Sequence, residues 1–545
     1  MKKILVAMVL AAALMSCTNV NERLGGEYIA TNQKYDFHTA EFNLDEVWMK
    51  SVDSLSGYSS RRINFGAIRD ETFGLFRRGC VVTLVPVLDT IDLGENPTFK
   101  RFKFQAGRDT VSVSDMDQSN ILQSVYVYEV TEPLDPAKYF SRSEVKHGTK
   151  TISKGIPVLN GTDSLTFDFT TEFGQKFMSL TQSDMKDFET YTKKFPGIYL
   201  TTNDPVGDGG RFNMFDLNIL ELVSSSSGSY VYRTDNYAML YYTATYNGER
   251  RDTSLMFYFS PLEFQDLDEY ISNSAVPDQY VFNVDSHESD YLVGKADEKI
   301  FVEGGSGVKP VIPAKELYRL VEAELASKGG DPATALISKA TIELPFDFPD
   351  DYRTMYLFPD ILSPTIKIST DTSLAFAGLT DASVSTENQG DINRSLCVYA
   401  PDVTHHVQQI IRQGATEDLT DYDIWLLIMH KETTTTTNSD ASEMASYYQQ
   451  LAYYSYYNQL YGGGYGGYGS YYGGYGGYGG YGGYGYNNYY NYMMMAQYAN
   501  SAAASTSYNA ELDKDRYYKC YLRGPGAKDG PKPKLKITYA LPKED

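Results

Sequence analysis

The chain has 545 residues, 42% of them hydrophobic and 14% aromatic, with 48 Lys and Arg set against 70 Asp and Glu, a formal charge of -22. That length is enough for roughly two to four domains with sizeable cores. The acidic balance argues against a nucleic-acid partner, because binding phosphate backbones rests on clustered cations that displace counterions.

At the N-terminus Lys2 and Lys3 precede an apolar run from Ile4 to Ala13, too short to span a bilayer, and Leu14-Met15-Ser16-Cys17 follows. The tetrad resembles the lipobox of bacterial lipoproteins. The resemblance implies cleavage before Cys17, a diacylglyceryl group on its thiol and an acyl (palmitate-type) chain on the new amino group. At about 0.8 kcal/mol per buried CH₂, two or three such chains anchor a protein without a transmembrane helix. Residues 1–16 are then a signal peptide and 17–25 a tether. Thr18, not an aspartate, follows the cysteine, which points to the outer membrane. Glu22 is a thin version of the acidic export tag of many Bacteroidota surface lipoproteins, so the cell surface is the expected side and the periplasmic face the alternative.

From about residue 28 to 430 the chain reads as short Val, Ile, Tyr, Phe and Thr-rich segments punctuated by Gly, Asn, Asp and Pro, which predicts a mainly β fold. Strands are expected at 80–88, 124–130, 164–170, 237–246, 254–260 and 423–429. In Val125-Tyr126-Val127-Tyr128 both alternating faces are apolar or aromatic, as for a strand covered by a second sheet. Three helical stripes interrupt this rhythm: Met185, Phe188 and Phe195, stopped by Pro196-Gly197; Leu317, Leu320, Val321 and Leu325 after Pro313; and Val403, Val407, Ile410 and Ile411, closing at Gly414. They are too few for a doubly wound fold and are expected to cap sandwich ends.

Several blocks then resemble one known group. "DSLSGYSSRRINFGAIRDETFG", "VYVYEVTEPLDPAKYFS" and "KKFPGIYLTTNDPVGDGGRFNMFDL", followed by "KIFVEGGSGVKPVIP", "ALISKATIELPFDFP", "VTHHVQQIIRQ", "DIWLLIM" and "PKLKITYAL", run in the order of the Bacteroidota lipoprotein family called domain of unknown function 4270 (DUF4270). The second half is also similar to jelly-roll modules of secreted wall proteins. The resemblance implies two tandem antiparallel β-sandwiches, 26–277 and 278–430 with 516–545, and it brings no assigned activity. Residues 431–515 then form one excursion from a loop of the second sandwich. It runs from the threonines at 433–437 through Gly-Gly-Tyr repeats to Met493-Met494-Met495. Glycine at two of every three positions loses too much backbone entropy to pack as a core, so disorder is expected there. The tract is read as a tolerated loop expansion, a spacer, or a sticky self-associating segment.

Past the lipobox the cysteines are Cys80, Cys397 and Cys520, so at most one disulfide forms. Cys397 with Cys520 is the better pair; three small buried thiols is the equal alternative. His405-His406 cannot chelate one metal, because adjacent helical residues diverge by about 100°, and no metal or cofactor is expected. Asp115 and Asp117 in "SDMDQSN" lack the Gly and distal Glu of an EF-hand. "EGGSGVKP" at 303–310 lacks the Gly-Lys-Ser/Thr end of a phosphate loop, and "GDGG" at 207–210 reads as a tight turn. Of the two tryptophans, Trp48 and Trp425, the second sits in an apolar run and is expected to be buried. Ser54, Thr90, Thr110 and Ser164 match an Asp-Ser/Thr-aliphatic pattern similar to the O-glycosylation acceptor of exported Bacteroidota proteins. The expectation is a non-enzymatic outer-membrane lipoprotein that contacts glycan or other outer-membrane proteins. The alternatives are a polysaccharide-acting hydrolase, for which no carboxylate pair can be chosen, and an adhesin whose Gly/Tyr loop is the effector.

Overall fold

The computed structural model describes residues 35–436 and 505–543, apart from short segments at 54, 60, 88–89, 116–120, 135–139, 218–219, 224–228, 233–235, 262–263, 265–279, 370–373, 384–387 and 415–417. The fold is mainly β, with every strand pairing antiparallel among the described residues. Alternation sets its layers. In Gln123–Val130, Val125 and Val127 are buried while Tyr126 and Tyr128 are half-exposed, so the two aromatic residues form an outer face and only one side meets a second sheet.

The first body packs a ten-stranded sheet on a five-stranded one. The first sheet runs His147–Thr151, Gln123–Val130, Ile198–Thr202, Gly74–Val82, Arg62–Asp70, Gly209–Asp216, Arg108–Val113, with Val281–His287 also beside Gly74–Val82. The second runs Leu165–Asp168, Glu95–Ala106, Tyr237–Tyr246, Glu249–Phe259, Leu84–Pro86. Between them lie Ile63, Phe65, Val82, Val125 and Val127 from one side, and Phe102, Phe104, Leu240, Phe257 and Phe259 from the other. At about 1.5–3 kcal/mol for each large apolar side chain, this layer is the main support of the body. Phe177 of the Thr171–Phe177 helix and Tyr191 of Phe188–Lys194 extend it.

The second body faces a five-stranded sheet, Tyr35–Asn43, Lys534–Pro542, Leu336–Pro345, Val398–Tyr399, Ile392–Asn393, against a seven-stranded one. The larger sheet runs Gly294–Lys295, Trp48–Ser51, Val308–Ile312, Ile424–Thr436, Ile361–Ser369, Leu374–Gly378, with Ser505–Leu512 beside Ile424–Thr436. Helices Ala314–Ser327 and Thr404–Gln413 seat Leu317, Val321, Leu325, Val407, Ile410 and Ile411 in its core. The second and third helical stripes read from sequence are therefore core-forming faces, whereas the first is divided: Met185 ends the 3-10 helix Gln182–Met185, Phe188 opens Phe188–Lys194 and Phe195 is its C-cap.

Three expectations need correction. The boundary at 277/278 is not where the strands divide: Tyr35–Asn43 pairs along its whole length with Lys534–Pro542, and Trp48–Ser51 pairs with Val308–Ile312, so the first strands complete the second body. Val281–His287, placed in the second domain, pairs with Gly74–Val82 of the first. "GDGG" does not close a hairpin either, because Ile198–Thr202 and Gly209–Asp216 are separated in the sheet by Gly74–Val82 and Arg62–Asp70, and the loop passes over both. Thirdly, Cys397 and Cys520 are not bridged. Both are free thiols, as is Cys80; Cys520 is buried, and the Cys397 thiol lies 3.6 Å from the Arg394 carbonyl.

Candidate functional site

Among the described residues, a buried network of charges lies where the two bodies meet. It begins with a register. Antiparallel pairing sets Asp285 opposite Arg78 and His287 opposite Phe76, so the two charged side chains project from neighbouring strands on one face. In the sequence "LFRRGC", alternation sends Arg77 outward to a surface pair with Asp204 (2.6 and 2.7 Å) and Arg78 inward. Arg78 is buried, forked onto Asp285 through Nε (2.6 Å) and Nη2 (3.0 Å), with Nη1 donating to the Asp515 carbonyl at 2.8 Å. Its guanidinium lies over the rings of Phe76 and Phe212 at 5.1 and 5.0 Å. Burial pulls the Arg78 pKa down, but the facing Asp285 carboxylate outweighs it and the net shift is upward. For Asp285 burial pushes up, and the Arg78 charge and hydrogen bonds bring the net shift down.

The loop after Lys299–Glu303 closes over this pair. Ser306 offers its backbone N–H and hydroxyl to Asp285 Oδ2, both at 3.4 Å. Gly305 adopts φ +55°, and a Cβ there would stand 2.6 Å from Arg78 Nη2, so both backbone and space require glycine. Lys309 turns back into the loop and donates to the carbonyls of Gly305 (2.9 Å), Gly307 (3.2 Å) and Glu303. Burial pushes its pKa down to about 7. The Glu303 carboxylate accepts from the Ser289 hydroxyl, and Oε2 lies 3.2 Å from His287 Nδ1 without hydrogen-bond alignment. His287 itself stacks on Phe76 with centroids 3.8 Å apart.

The third wall is residues 513–519, which leave Ser505–Leu512 and cross into the first body. Asp513 caps this turn: Oδ1 accepts the N–H groups of Asp515 and Arg516, and Oδ2 accepts from Arg516 Nη1 (2.7 Å) and the Tyr518 hydroxyl (2.8 Å). Burial raises the Asp513 pKa, yet Arg516 and these donors bring it down to about 2. Lys514 Nζ donates to the carbonyls of Ser56 and Tyr58, Arg62 reaches Asp515 at 3.4 Å, and Lys519 pairs with Asp70. Tyr517 packs with Phe76 and Phe212. Chemically the arrangement is a lock: Arg78, Asp285, Lys309 and Asp513 are each met by an opposite charge or by several dipoles, while Glu303 Oε1, Asp515 Oδ1 and both ring nitrogens of His287 have no hydrogen-bond partner, and the members come from both bodies.

Cys17 and Ser54 lie outside the described residues, as does the Gly/Tyr tract from 437 to 504. Thr90 is exposed, Thr110 is half-buried opposite Met214, and Ser164 is exposed with its Oγ accepting the Arg108 N–H at 3.4 Å, so the modification candidates are not brought together. Asp115 is exposed and Asp117 falls outside the described residues. No group of three or more His, Cys, Asp or Glu side chains among the described residues is arranged to hold a metal. At the start of Thr404–Gln413 the Asp381 carboxylate accepts the backbone N–H groups of His405 and His406, at 2.5 and 3.0 Å, and the buried His406 imidazole meets the Tyr422 carbonyl at 2.8 Å. Trp425 is buried, with Lys50 and Lys367 each 5.4 Å from its ring, while Trp48 is partly exposed. A shallow pocket of about 40 Å³ is lined by Ile121, Leu122, Asn203 and Pro205 over the buried Arg211. Sequence reasoning missed the lock. Its visible traces were an arginine at an inward position of an apolar strand and a Glu and Lys bracketing three glycines, dismissed as a failed phosphate loop.

No protein-family model, curated protein or solved structure matches this chain significantly.

Proposed function

We propose that the chain is a non-enzymatic outer-membrane lipoprotein of the DUF4270 kind, held by acyl chains on Cys17, facing the cell exterior and working by contact with glycan or with other outer-membrane proteins. The observation that carries the reading is the leader: two lysines, a ten-residue apolar run and Leu14-Met15-Ser16-Cys17. The β architecture is compatible with it, since two sandwiches joined by a buried ionic lock make a stiff body that presents surfaces and loops at a distance from its anchor. The Ile424–Thr436 and Ser505–Leu512 strands pair from Met429–Leu512 to Thr436–Ser505, so the Gly/Tyr tract leaves and returns through one ribbon. That ribbon favours a second reading, in which the tract is the effector and the sandwiches hold it.

Metabolic labelling with an alkyne fatty acid tests the anchor: wild type takes the label, Cys17→Ala does not, and an unlabelled wild-type chain ends the proposal. Affinity purification from gently solubilised outer membrane tests the contact role, and recovery of neither a partner protein nor a glycan counts against it. Deleting 437–504 separates the two readings, because surface attachment that survives the deletion removes the tract as effector.

A further inference from the structure

The edge strand Tyr35–Asn43 carries an outer face split into two chemically different ends. His38, Ala40 and Phe42 turn toward the core, leaving Tyr35, Phe37, Thr39, Glu41 and Asn43 outside. Register extends this face across three strands: Glu41 stands opposite Lys536 and Asn43 opposite Lys534, and Glu343 lies across Lys534. Ion pairs Lys534–Glu41 (3.3 Å) and Lys536–Glu343 (2.9 Å) make that end polar. At the other end Phe37 stands opposite Ala540, Ala540 opposite Leu336, and Tyr35 opposite Pro542. Phe37 is 71% exposed, Tyr35 40% and Leu336 39%. Among the described residues the charges at this corner are Asp36 and Lys543, which pair with each other at 3.5 Å; Glu544 and Asp545 lie outside the described residues.

The apolar corner is the one the chain enters from Cys17. Residues 18–34 separate it from that cysteine, a stretch that extends to about 60 Å at most. We infer that the Tyr35, Phe37 and Leu336 corner rests in the headgroup region of the bilayer that holds the acyl chains of Cys17, which fixes the orientation of the second body on the membrane. The inference rests on the lipid anchor proposed above. Aromatic rings are favoured at the lipid–water boundary, where an apolar body meets a wet edge. A tether with its last residue at that corner holds the rings at a high local concentration of lipid.

The test uses the full acylated chain on phosphatidylcholine vesicles carrying a nitroxide at the top of the acyl chain. Phe37→Trp and, as a control at another exposed aromatic, Tyr352→Trp are compared after subtracting the wild-type signal of Trp48 and Trp425. The expected result is a blue-shifted emission for the residue-37 probe and quenching roughly twofold or more above the control. Equal quenching at the two positions on vesicle-bound protein overturns the orientation and leaves the anchor standing. If wild type fails to float with vesicles, or floats as well as Cys17→Ser, the anchor falls and this inference falls with it.

Discussion

His406 predicts an acid sensitivity that can be worked through from its surroundings. It lies on the inner face of Thr404–Gln413, buried, and its Nε2–H donates to the Tyr422 carbonyl at 2.8 Å, which assigns the neutral Nε2–H tautomer. Burial pushes its pKa down to about 4 from 6.5; the Tyr422 carbonyl opposes this shift and neighbouring His405 adds to it. Between those two pH values the unfolded chain binds a proton that the folded chain refuses, so stability rises with pH there and is lost as pH falls from 6.5 toward 4. At about 1.4 kcal/mol per pH unit the loss amounts to about 3 kcal/mol. Asp381 accepts the N–H groups of His405 and His406, and burial raises its pKa above the usual carboxylate value. His406→Gln keeps an N–H donor for Tyr422, leaves Asp381 in place and cannot titrate. The assay is urea unfolding of the mature chain at pH 7.5 and 4.5, followed by hydrogen exchange in residues 404–413 in case the two bodies unfold separately. Wild type should lose about 2 kcal/mol more than His406→Gln over that interval. Equal losses in the two proteins refute the assignment of a buried neutral imidazole.

Asp285→Asn, nearly isosteric, leaves Arg78 buried with its carboxylate partner gone, and should cost about 3–5 kcal/mol by urea unfolding; a loss below about 1 kcal/mol would show that the pair is hydrated. Gly305→Ala forces a Cβ toward Arg78 at positive φ, so it should destabilise by about 2 kcal/mol or more, read as a lower thermal midpoint; an unchanged midpoint contradicts the loop geometry. Asp513, held at about 2 against 3.8, contributes stability above pH 3.8 that disappears as pH falls through 2, about 2 kcal/mol that Asp513→Asn should not show. Lys309, with its pKa at about 7 against 10.5, acts in the opposite pH range: the unfolded chain holds the extra proton between those values, so stability rises with pH there, and the rise should be absent in Lys309→Met.

The strands were legible because their signal is local. Tyr237–Tyr246 matches its expected bounds, and the Val403 to Ile411 stripe became the buried face of Thr404–Gln413 closed by Gly414. What alternation cannot encode is the choice of partner. Nothing in "YDFHTAEFN" says that its mate is "KLKITYALP" at the far end of the chain, since both patterns would satisfy any sheet with one covered face. The lock was hidden for a related reason. Arg78, Asp285, Glu303, Lys309 and Asp513 are ordinary surface residue types, and only the register and the crossing of residues 513–519 bury them together. Composition predicts such residues on a solvated face, and a buried exception shows only when its partners are known.

The position of the lock also bears on the long tract. Chain leaving the second body at Thr436 returns at Ser505, and the return limb runs directly into residues 513–519, the segment with most of its charges fastened to the first body. Doubling the length of a flexible loop adds only about 0.6 kcal/mol of closure entropy, and that cost falls on the elements at the loop ends. Here one end is a thirteen-residue strand paired on the sheet, and the other is a turn capped by Asp513 and locked by Lys514, Arg516 and Lys519. Both ends are therefore held by contacts made outside residues 437–504.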